Sequence, residues 1–170
     1  MNENAVSLII SVFALIIVII ALISKNSNKT EEAPVLSSNR FDAIPLQLQA
    51  YERLAILCER IALPNLISRT SQPDLSARAM QTLLIEHIKQ EFEYNASQQI
   101  YVSPVIWEYI RNLRDQNILL VNQVANILPQ DAGAKDLNKQ LVEIIMNQQE
   151  AALHTIVLNA LNFEAKKLMK

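Results

Sequence analysis

The sequence predicts an all-α protein with a single N-terminal transmembrane helix, a linker and a small antiparallel bundle of about four helices. The chain of 170 residues holds one glycine, so few tight hairpins or glycine-rich phosphate loops can form. Near the start, a long uncharged run is apolar on every side, which is typical of a membrane span. Further along, apolar residues recur three and four positions apart, which is typical of amphipathic helices.

The first element is a predicted membrane span over residues 5–23, which read AVSLIISVFALIIVIIALI. A helix of this length is about 28 Å long, close to the hydrocarbon thickness of a bilayer. A cleaved signal peptide fits less well, because the start, MNEN, has no basic residue and no small-residue cleavage site follows. We therefore assign residues 1–23 to a transmembrane anchor. The side chains predicted to anchor it in lipid are Leu8, Ile9, Val12, Phe13, Ile16 and Ile20.

The flanking charges predict the orientation of this span. Lys25 and Lys29 follow it, whereas only the terminal amine precedes it. Because basic residues are enriched on the cytoplasmic side, the short N-terminus is predicted outside and the rest of the chain in the cytoplasm. Residues 24–43 are polar and lack helical periodicity. We interpret them as a flexible linker that leads to a helical bundle domain over residues 44–170.

The first helix of the domain contains the segment YERLAILCERIAL, residues 51–63, which is nearly one heptad written twice. Pro45 suits its first turn, Asp42 can cap it, and Pro64 interrupts it. The repeat places apolar residues on one side of the helix and the repeated Glu–Arg pairs on its flanks. We predict that the apolar stripe is a packing seam, formed by Tyr51, Leu54, Cys58 and Ile61.

Two apolar residues, Ile56 and Leu63, point away from this seam. They are either isolated surface hydrophobes, which are common on soluble domains, or the start of a second contact face. The segment LPNLISRTSQP, which starts at Leu63, then reads as a turn with room for one short helical piece.

Two further helices are predicted from proline and capping signals. One runs over about residues 75–95, after a cap at Ser71 or Asp74, and the next over about residues 104–128, after Ser103 and a proline. In the later helix the apolar spacings alternate as in a coiled coil, with one asparagine as the polar member. The predicted seam residues of the two helices are Leu84, Ile88, Phe92, Ile110, Leu113 and Asn117.

The last helix is predicted to be the longest. No proline or glycine follows Gly133, so we expect one helix over residues 137–168, started by Asp131 or Asp136 and about 48 Å long. Three lysines at its end suit the negative pole of the helix dipole. Such a helix either bends or projects beyond the bundle, where a partner can reach it.

Charge and cysteine content narrow the classes of function. The formal net charge is −2, and no run of Lys or Arg could follow a phosphate backbone, so no nucleic-acid partner is expected. Cys58 is the only cysteine, which excludes a disulfide framework. We interpret it as a small buried hydrophobe, because free cysteines are usually buried.

No group of residues predicts catalysis, a cofactor or a metal ion. The pairs His87–Glu91 and Glu150–His154 lie four residues apart, whereas di-iron bundles use Glu-x-x-His with further inward carboxylates. No G-x-S-x-G nucleophile motif occurs. Aromatic residues at the junction of the second and third helices form either a packed corner or a ligand pocket. These residues are Tyr94, Tyr101, Trp107 and Tyr109.

Two stretches, LQAYERLAILCERI (48–61) and EFEYNASQQIYVSPVIWEYI (91–110), resemble a family of uncharacterised small bacterial membrane proteins. The resemblance covers residues 1–130. It implies one N-terminal span, a polar linker and a helical cytoplasmic domain at the bacterial inner membrane. It implies no activity and carries over no functional residue.

The leading hypothesis is a membrane-anchored interaction protein, an accessory or scaffold component that docks an unknown protein partner or forms a homo-oligomer. Membrane lipid around the single span is the other expected contact. The alternative hypothesis is a ligand- or metal-dependent enzyme that uses a pocket near Tyr101 and Trp107 or the Glu/His pairs.

Overall fold

The computed structural model describes residues 40–147 and 151–170 of the chain. These residues form six α-helices and one 3₁₀ helix without a strand, so the predicted all-α class is confirmed for them. The α-helices are α1 (Arg40–Ile61), α2 (Leu63–Thr70), α3 (Ala77–Tyr94), α4 (Pro104–Ile127), α5 (Ala134–Asn147) and α6 (Ala151–Leu168), and the 3₁₀ helix, Ala96–Tyr101, lies between α3 and α4.

The predicted anchor over residues 1–23 lies outside the described residues, as does most of the predicted linker. Among the helices that the structure does describe, none combines the length and the apolar character that crossing a bilayer requires. The anchor residues that fall outside the description are Leu8, Ile9, Val12, Phe13, Ile16 and Ile20.

The first two helices differ from the prediction at their boundaries. α1 is helical from Arg40, the first described residue, which lies within the stretch predicted as linker, so Pro45 lies inside the helix and not at its start. The segment that starts at Leu63 was predicted as a turn with room for a short helical piece. It forms a helix of eight residues, α2, whose side chains Leu66 and Ile67 are buried.

The predicted long last helix over residues 137–168 falls on two described helices, α5 and α6, and on residues 148–150, which lie outside the described residues. α5 packs mainly against α3, whereas α6 packs mainly against α1. The continuity of this helix therefore stays a prediction.

The described residues contain more α-helical segments than the four or so predicted. The four longest described helices are α1, α3, α4 and α6, and α2 and α5 add two shorter ones. Neighbouring long helices run antiparallel. Gln81 and Arg78 on α3 donate hydrogen bonds to Asn122 and Asn126 on α4, at 2.7 and 3.0 Å, so rising numbers on one helix meet falling numbers on the other.

Most predicted seam residues lie in one continuous buried cluster. Phe92 is half-buried and packs against this cluster. Asn117 is also half-buried, and its amide nitrogen donates a hydrogen bond of 2.8 Å to the backbone carbonyl of Ile61. This bond satisfies the last turn of α1, where carbonyls lack intrahelical donors. The buried seam residues are Tyr51, Leu54, Cys58, Ile61, Leu84, Ile88, Ile110 and Leu113.

A single carboxylate ties three helices together. Glu164 on α6 accepts hydrogen bonds from the hydroxyl of Tyr51 on α1, at 2.7 Å, and from the hydroxyl of Ser103, at 2.9 Å. Ser103 is also the N-cap of α4, since its oxygen accepts from the backbone N–H of Ile106. Burial, and then the Glu164 carboxylate, hold the pKa of the Tyr51 hydroxyl well above its usual range.

The starts of α3 and α5 are joined by an isolated β-bridge between Ser76 and Gly133. The backbone N–H of Ala77 donates to the carbonyl of Ala132, and that of Ala134 donates to the carbonyl of Leu75, at 2.9 and 2.8 Å. Ser76 caps α3, where neither predicted cap, at position 71 or 74, is used. The bridge fixes the two helix starts side by side.

Candidate functional site

A groove between α1 and α3 forms an open pocket with a volume of about 560 Å³. It lies on the side of α1 opposite the buried seam, at the end of the helix that carries the doubled heptad. The C-terminal end of α3 forms its other wall. We call it the α1–α3 groove. It is lined by Arg53, Ile56, Arg60, Gln90, Glu91, Tyr94 and Asn95.

Two large apolar side chains are exposed in this groove. Ile56 on α1 is 58% exposed and Tyr94 on α3 is 75% exposed. Isolated surface hydrophobes are ordinary, but here an aliphatic and an aromatic side chain from different helices line one concavity. Of the two alternatives for Ile56, the structure therefore favours a contact face on the side away from the core.

Two arginines on α1 give the groove its charge. The guanidinium of Arg53 lies 5.4 Å from the ring centroid of Tyr94, which is the geometry of a cation–π contact. Arg60 donates a hydrogen bond to the carboxylate of Glu91 on α3 and forms an ion pair with it. This bond and the negative charge of Glu91 raise the pKa of Arg60. The charge of Arg60 is thus balanced within the groove.

Arg53 differs from Arg60 in this respect. No ion pair of Arg53 is found among the described residues, and its contact in the groove is with an aromatic ring. The groove therefore presents one cation beside two exposed apolar side chains. That combination is suited to an amphipathic segment with an acidic residue.

The C-terminal end of α3 is held firmly beside this groove. Asn95, which is buried, donates a side-chain hydrogen bond of 2.9 Å to the backbone carbonyl of Glu91. The backbone N–H of Asn95 also bonds to the carbonyl of Phe92. A wall fixed in this way binds with little loss of conformational entropy.

The aromatic residues near the junction do not form one pocket. The ring of Trp107 packs against Phe92 with centroids 5.0 Å apart, and the guanidinium of Arg114 covers Phe92 at 4.1 Å. Tyr94 points into the α1–α3 groove, and Tyr109 is exposed on α4. The packed-corner interpretation fits Trp107, whereas Tyr94 lines a groove that it does not share with Trp107 or Tyr109.

Of the two Glu/His pairs, His87–Glu91 lies on α3, where Glu91 is engaged by Arg60. His154 lies on α6 and lines a second, smaller pocket, whereas Glu150 lies outside the described residues. Across the described residues, no group of three or more His, Cys, Asp or Glu side chains is placed to hold a metal ion.

The buried thiol of Cys58 does not reach either pocket lining. Burial raises its pKa to about 12, with a smaller contribution from the charge of Glu59. A thiol with such a pKa stays protonated at neutral pH and is a poor nucleophile.

Sequence reasoning missed the groove as a site, although one signal for it was present. Ile56 breaks the one-sided pattern of α1, and this was visible in the sequence. Tyr94 lies 38 positions further along the chain, and only the crossing of α1 and α3 brings it beside Ile56. A spacing argument within one helix cannot find a partner on another.

These observations define the class of the protein as an all-helical bundle with an amphipathic groove on its surface. A model of a family of unknown function, DUF7935, matches residues 3–168, and the chain belongs to this family. The match extends through α6, well beyond the residues covered by the resemblance seen in the sequence. No curated protein and no solved structure matches the chain.

Proposed function

We propose that the chain is a membrane-anchored helical interaction protein, an accessory or scaffold component that docks a partner protein at the cytoplasmic face of the bacterial inner membrane. The anchor rests on the apolar run over residues 5–23 and the orientation on Lys25 and Lys29. The bacterial location rests on the resemblance described above. The docking role rests on the α1–α3 groove.

The main support for docking is that Ile56 and Tyr94 are exposed beside Arg53 in a groove that the described helices form. Aromatic and arginine side chains contribute most often to the energy of protein interfaces. Exposed apolar surface at a groove stabilises a complex when a partner covers it. Nothing in this arrangement activates a nucleophile or a water molecule.

The occupant that fits best is an amphipathic helix of a partner protein. Its apolar residues would cover Ile56 and Tyr94, and an acidic residue would face Arg53, which has no ion pair among the described residues. Recognition of one helical face in a groove between helices is a common mode of peptide binding. A basic helix would be disfavoured, since Arg53 would repel it.

Site-specific photocrosslinking in native membranes tests this proposal. A photoreactive phenylalanine analogue replaces Ile56 in one variant and Ile127 in a matched control. Ile127 is 73% exposed and lies at the far end of α4, next to Asn126, which bonds to Arg78 at the other end of α3 from the groove. We expect a discrete adduct with another protein from position 56 and none from position 127.

A charge reversal shows whether the adduct depends on the predicted chemistry. Arg53→Glu should abolish the adduct at position 56, because an acidic partner residue would then be repelled. Lys135→Glu, on exposed α5 surface away from the groove, should leave it intact. An adduct of twice the mass of the chain would mean that the occupant of the groove is a second copy of this chain and not another protein. No adduct, or an equal adduct at position 127, would contradict docking at this groove.

The anchoring part of the proposal has its own test. The full chain should stay in the membrane pellet after extraction at alkaline pH, and protease added to spheroplasts should leave α1 to α6 uncleaved. Release of the intact chain into the soluble fraction would contradict the proposed membrane anchor. It would not test the proposal that a partner docks at the α1–α3 groove.

A further inference from the structure

A second pocket, of about 230 Å³, lies at the junction of α1 and α2, away from the α1–α3 groove. α4 forms one wall, and single residues of α5 and α6 complete the lining that the structure describes. The two pockets share no lining residue. We call it the His154 pocket, after its most polar member. Its lining includes Asn65, Leu113, Asn117, Leu120, Ile145 and His154.

His154 contributes a ring nitrogen that is shielded from solvent. Among the described residues, its Nε2 atom has no hydrogen-bond partner. A carboxylate oxygen of Glu59 is 3.6 Å away, which is beyond hydrogen-bond distance. Because buried polar atoms in proteins are nearly always paired, this nitrogen offers an unused hydrogen-bonding position in the pocket.

Most of the lining is apolar. Leu113 and Leu120 belong to the buried core, and Ile145 packs against it. Two asparagines, Asn65 and Asn117, also line the pocket, and the amide nitrogen of each already donates a hydrogen bond to a neighbouring residue. An apolar wall with a few polar groups is the usual composition of a small-molecule site.

We propose that this pocket binds a small, uncharged, apolar molecule that carries a hydroxyl group, with the hydroxyl hydrogen-bonded to Nε2 of His154. A hydroxyl serves either tautomer of neutral histidine, because it can donate to a bare nitrogen or accept from an N–H. A carboxylate head would lie beside the acidic Glu59 and be repelled. A pure hydrocarbon would leave the nitrogen unpaired.

The size of the pocket limits the ligand to about one ring. An engineered apolar cavity of about 150 Å³ in another protein stays dry and admits benzene. A phenol therefore matches the volume, the apolar walls and the unused hydrogen-bonding position at Nε2 of His154. This inference does not depend on the partner proposed for the α1–α3 groove.

Binding of three fluorinated probes to the full chain in lipid nanodiscs tests the proposal. The probes are 4-fluorophenol, fluorobenzene and 4-fluorobenzoate. Binding of each probe is measured as broadening of its ¹⁹F NMR line, and empty nanodiscs serve as the control. We expect saturable binding of 4-fluorophenol, at least tenfold weaker binding of fluorobenzene, and no saturable binding of 4-fluorobenzoate. Equal binding of the phenol and the hydrocarbon would overturn the role of His154.

Matched histidine variants locate the site. His154→Leu should weaken 4-fluorophenol binding at least tenfold and leave fluorobenzene binding unchanged or stronger. His87→Leu, which alters the only other histidine and lies on α3 outside the pocket, should change neither. Equal effects of both substitutions would overturn the proposal.

A filling variant keeps the test decisive if His154→Leu is poorly folded. Ile145→Phe adds volume from the α5 side and should abolish binding of 4-fluorophenol and fluorobenzene together. The far-ultraviolet circular dichroism of each variant reports whether it is folded. No saturable binding of any probe to the unmodified chain would also overturn the proposal. Photocrosslinking at position 56 should persist in every pocket variant, which separates failure of this site from failure of the groove.

Discussion

Cys58 shows how one buried side chain makes stability depend on pH. Its pKa is raised from 9.0 to about 12 by burial, so above pH 9.0 the unfolded chain loses the thiol proton while the folded chain keeps it. The contribution of Cys58 to stability is therefore complete below pH 9.0 and is lost as the pH rises toward 12. Tyr51, whose pKa is also raised, acts in the same direction.

We expect Cys58→Ala to flatten the alkaline loss of stability. One group contributes at most about 1.4 kcal/mol per pH unit to the slope of the unfolding free energy. Urea unfolding of the chain at a series of pH values above 9.0 should therefore show a steeper decline for the unmodified protein than for Cys58→Ala. The variant should also be less stable at neutral pH, because it leaves a small cavity. Parallel pH profiles would contradict a buried, protonated thiol.

Gly133 is the only glycine of the chain, yet its backbone does not require one. No described residue has a positive φ, and a Cβ at this position would meet only the Asp136 carboxylate, at an ordinary 3.7 Å. We expect Gly133→Ala to stabilise the protein by about 0.4–1 kcal/mol, through reduced entropy of the unfolded chain. Thermal unfolding of the variant and the unmodified protein measures this difference in stability. A less stable Gly133→Ala variant would mean that the bridge to Ser76 does not accommodate a Cβ atom at position 133.

At the scale of one helix, α1 separates stability from docking. Leu54 is fully buried and Ile56, two residues later, is largely exposed. Leu54→Ala should lower the free energy of unfolding by about 2–5 kcal/mol, whereas Ile56→Ala should change it by no more than about 0.5 kcal/mol. Urea titration compares the two. Ile56→Ala should instead weaken the partner complex, as seen by co-purification with a tagged chain. A large stability loss for Ile56→Ala would mean that this side chain belongs to the core.

Helix faces were easier to predict than helix boundaries. The apolar stripe through Leu54 and the start of α4 after Ser103 each depend on neighbouring residues within one helix. Periodicity predicts the stripe and capping predicts the helix start, and the structure has both where they are predicted. The change of packing partner between α5, which packs mainly against α3, and α6, which packs mainly against α1, has no such local signal, because it depends on residues distant in the sequence. The same limit applied to the groove, since Tyr94 reaches Ile56 only through the crossing of two helices.

At the scale of the whole molecule, the buried residues of α1 to α6 form one cluster. We therefore expect a chain that starts at residue 40 to fold alone, with helical circular dichroism and one cooperative thermal transition. A chain that starts at residue 63 lacks α1, and with it Leu54 and Ile61, and should not fold. Failure of the longer chain to fold would place part of the stabilising contacts before residue 40.

The bridge between Ser76 and Gly133 has a consequence for amide exchange. The first N–H groups of a helix ordinarily exchange with solvent quickly, because no carbonyl precedes them to accept a bond. Ala77 and Ala134 open their helices, yet each donates to the backbone of the opposite segment. Deuterium uptake should therefore be slow at these two positions and fast at the opening residues of α2, and the two slow sites should lose protection together as urea is added.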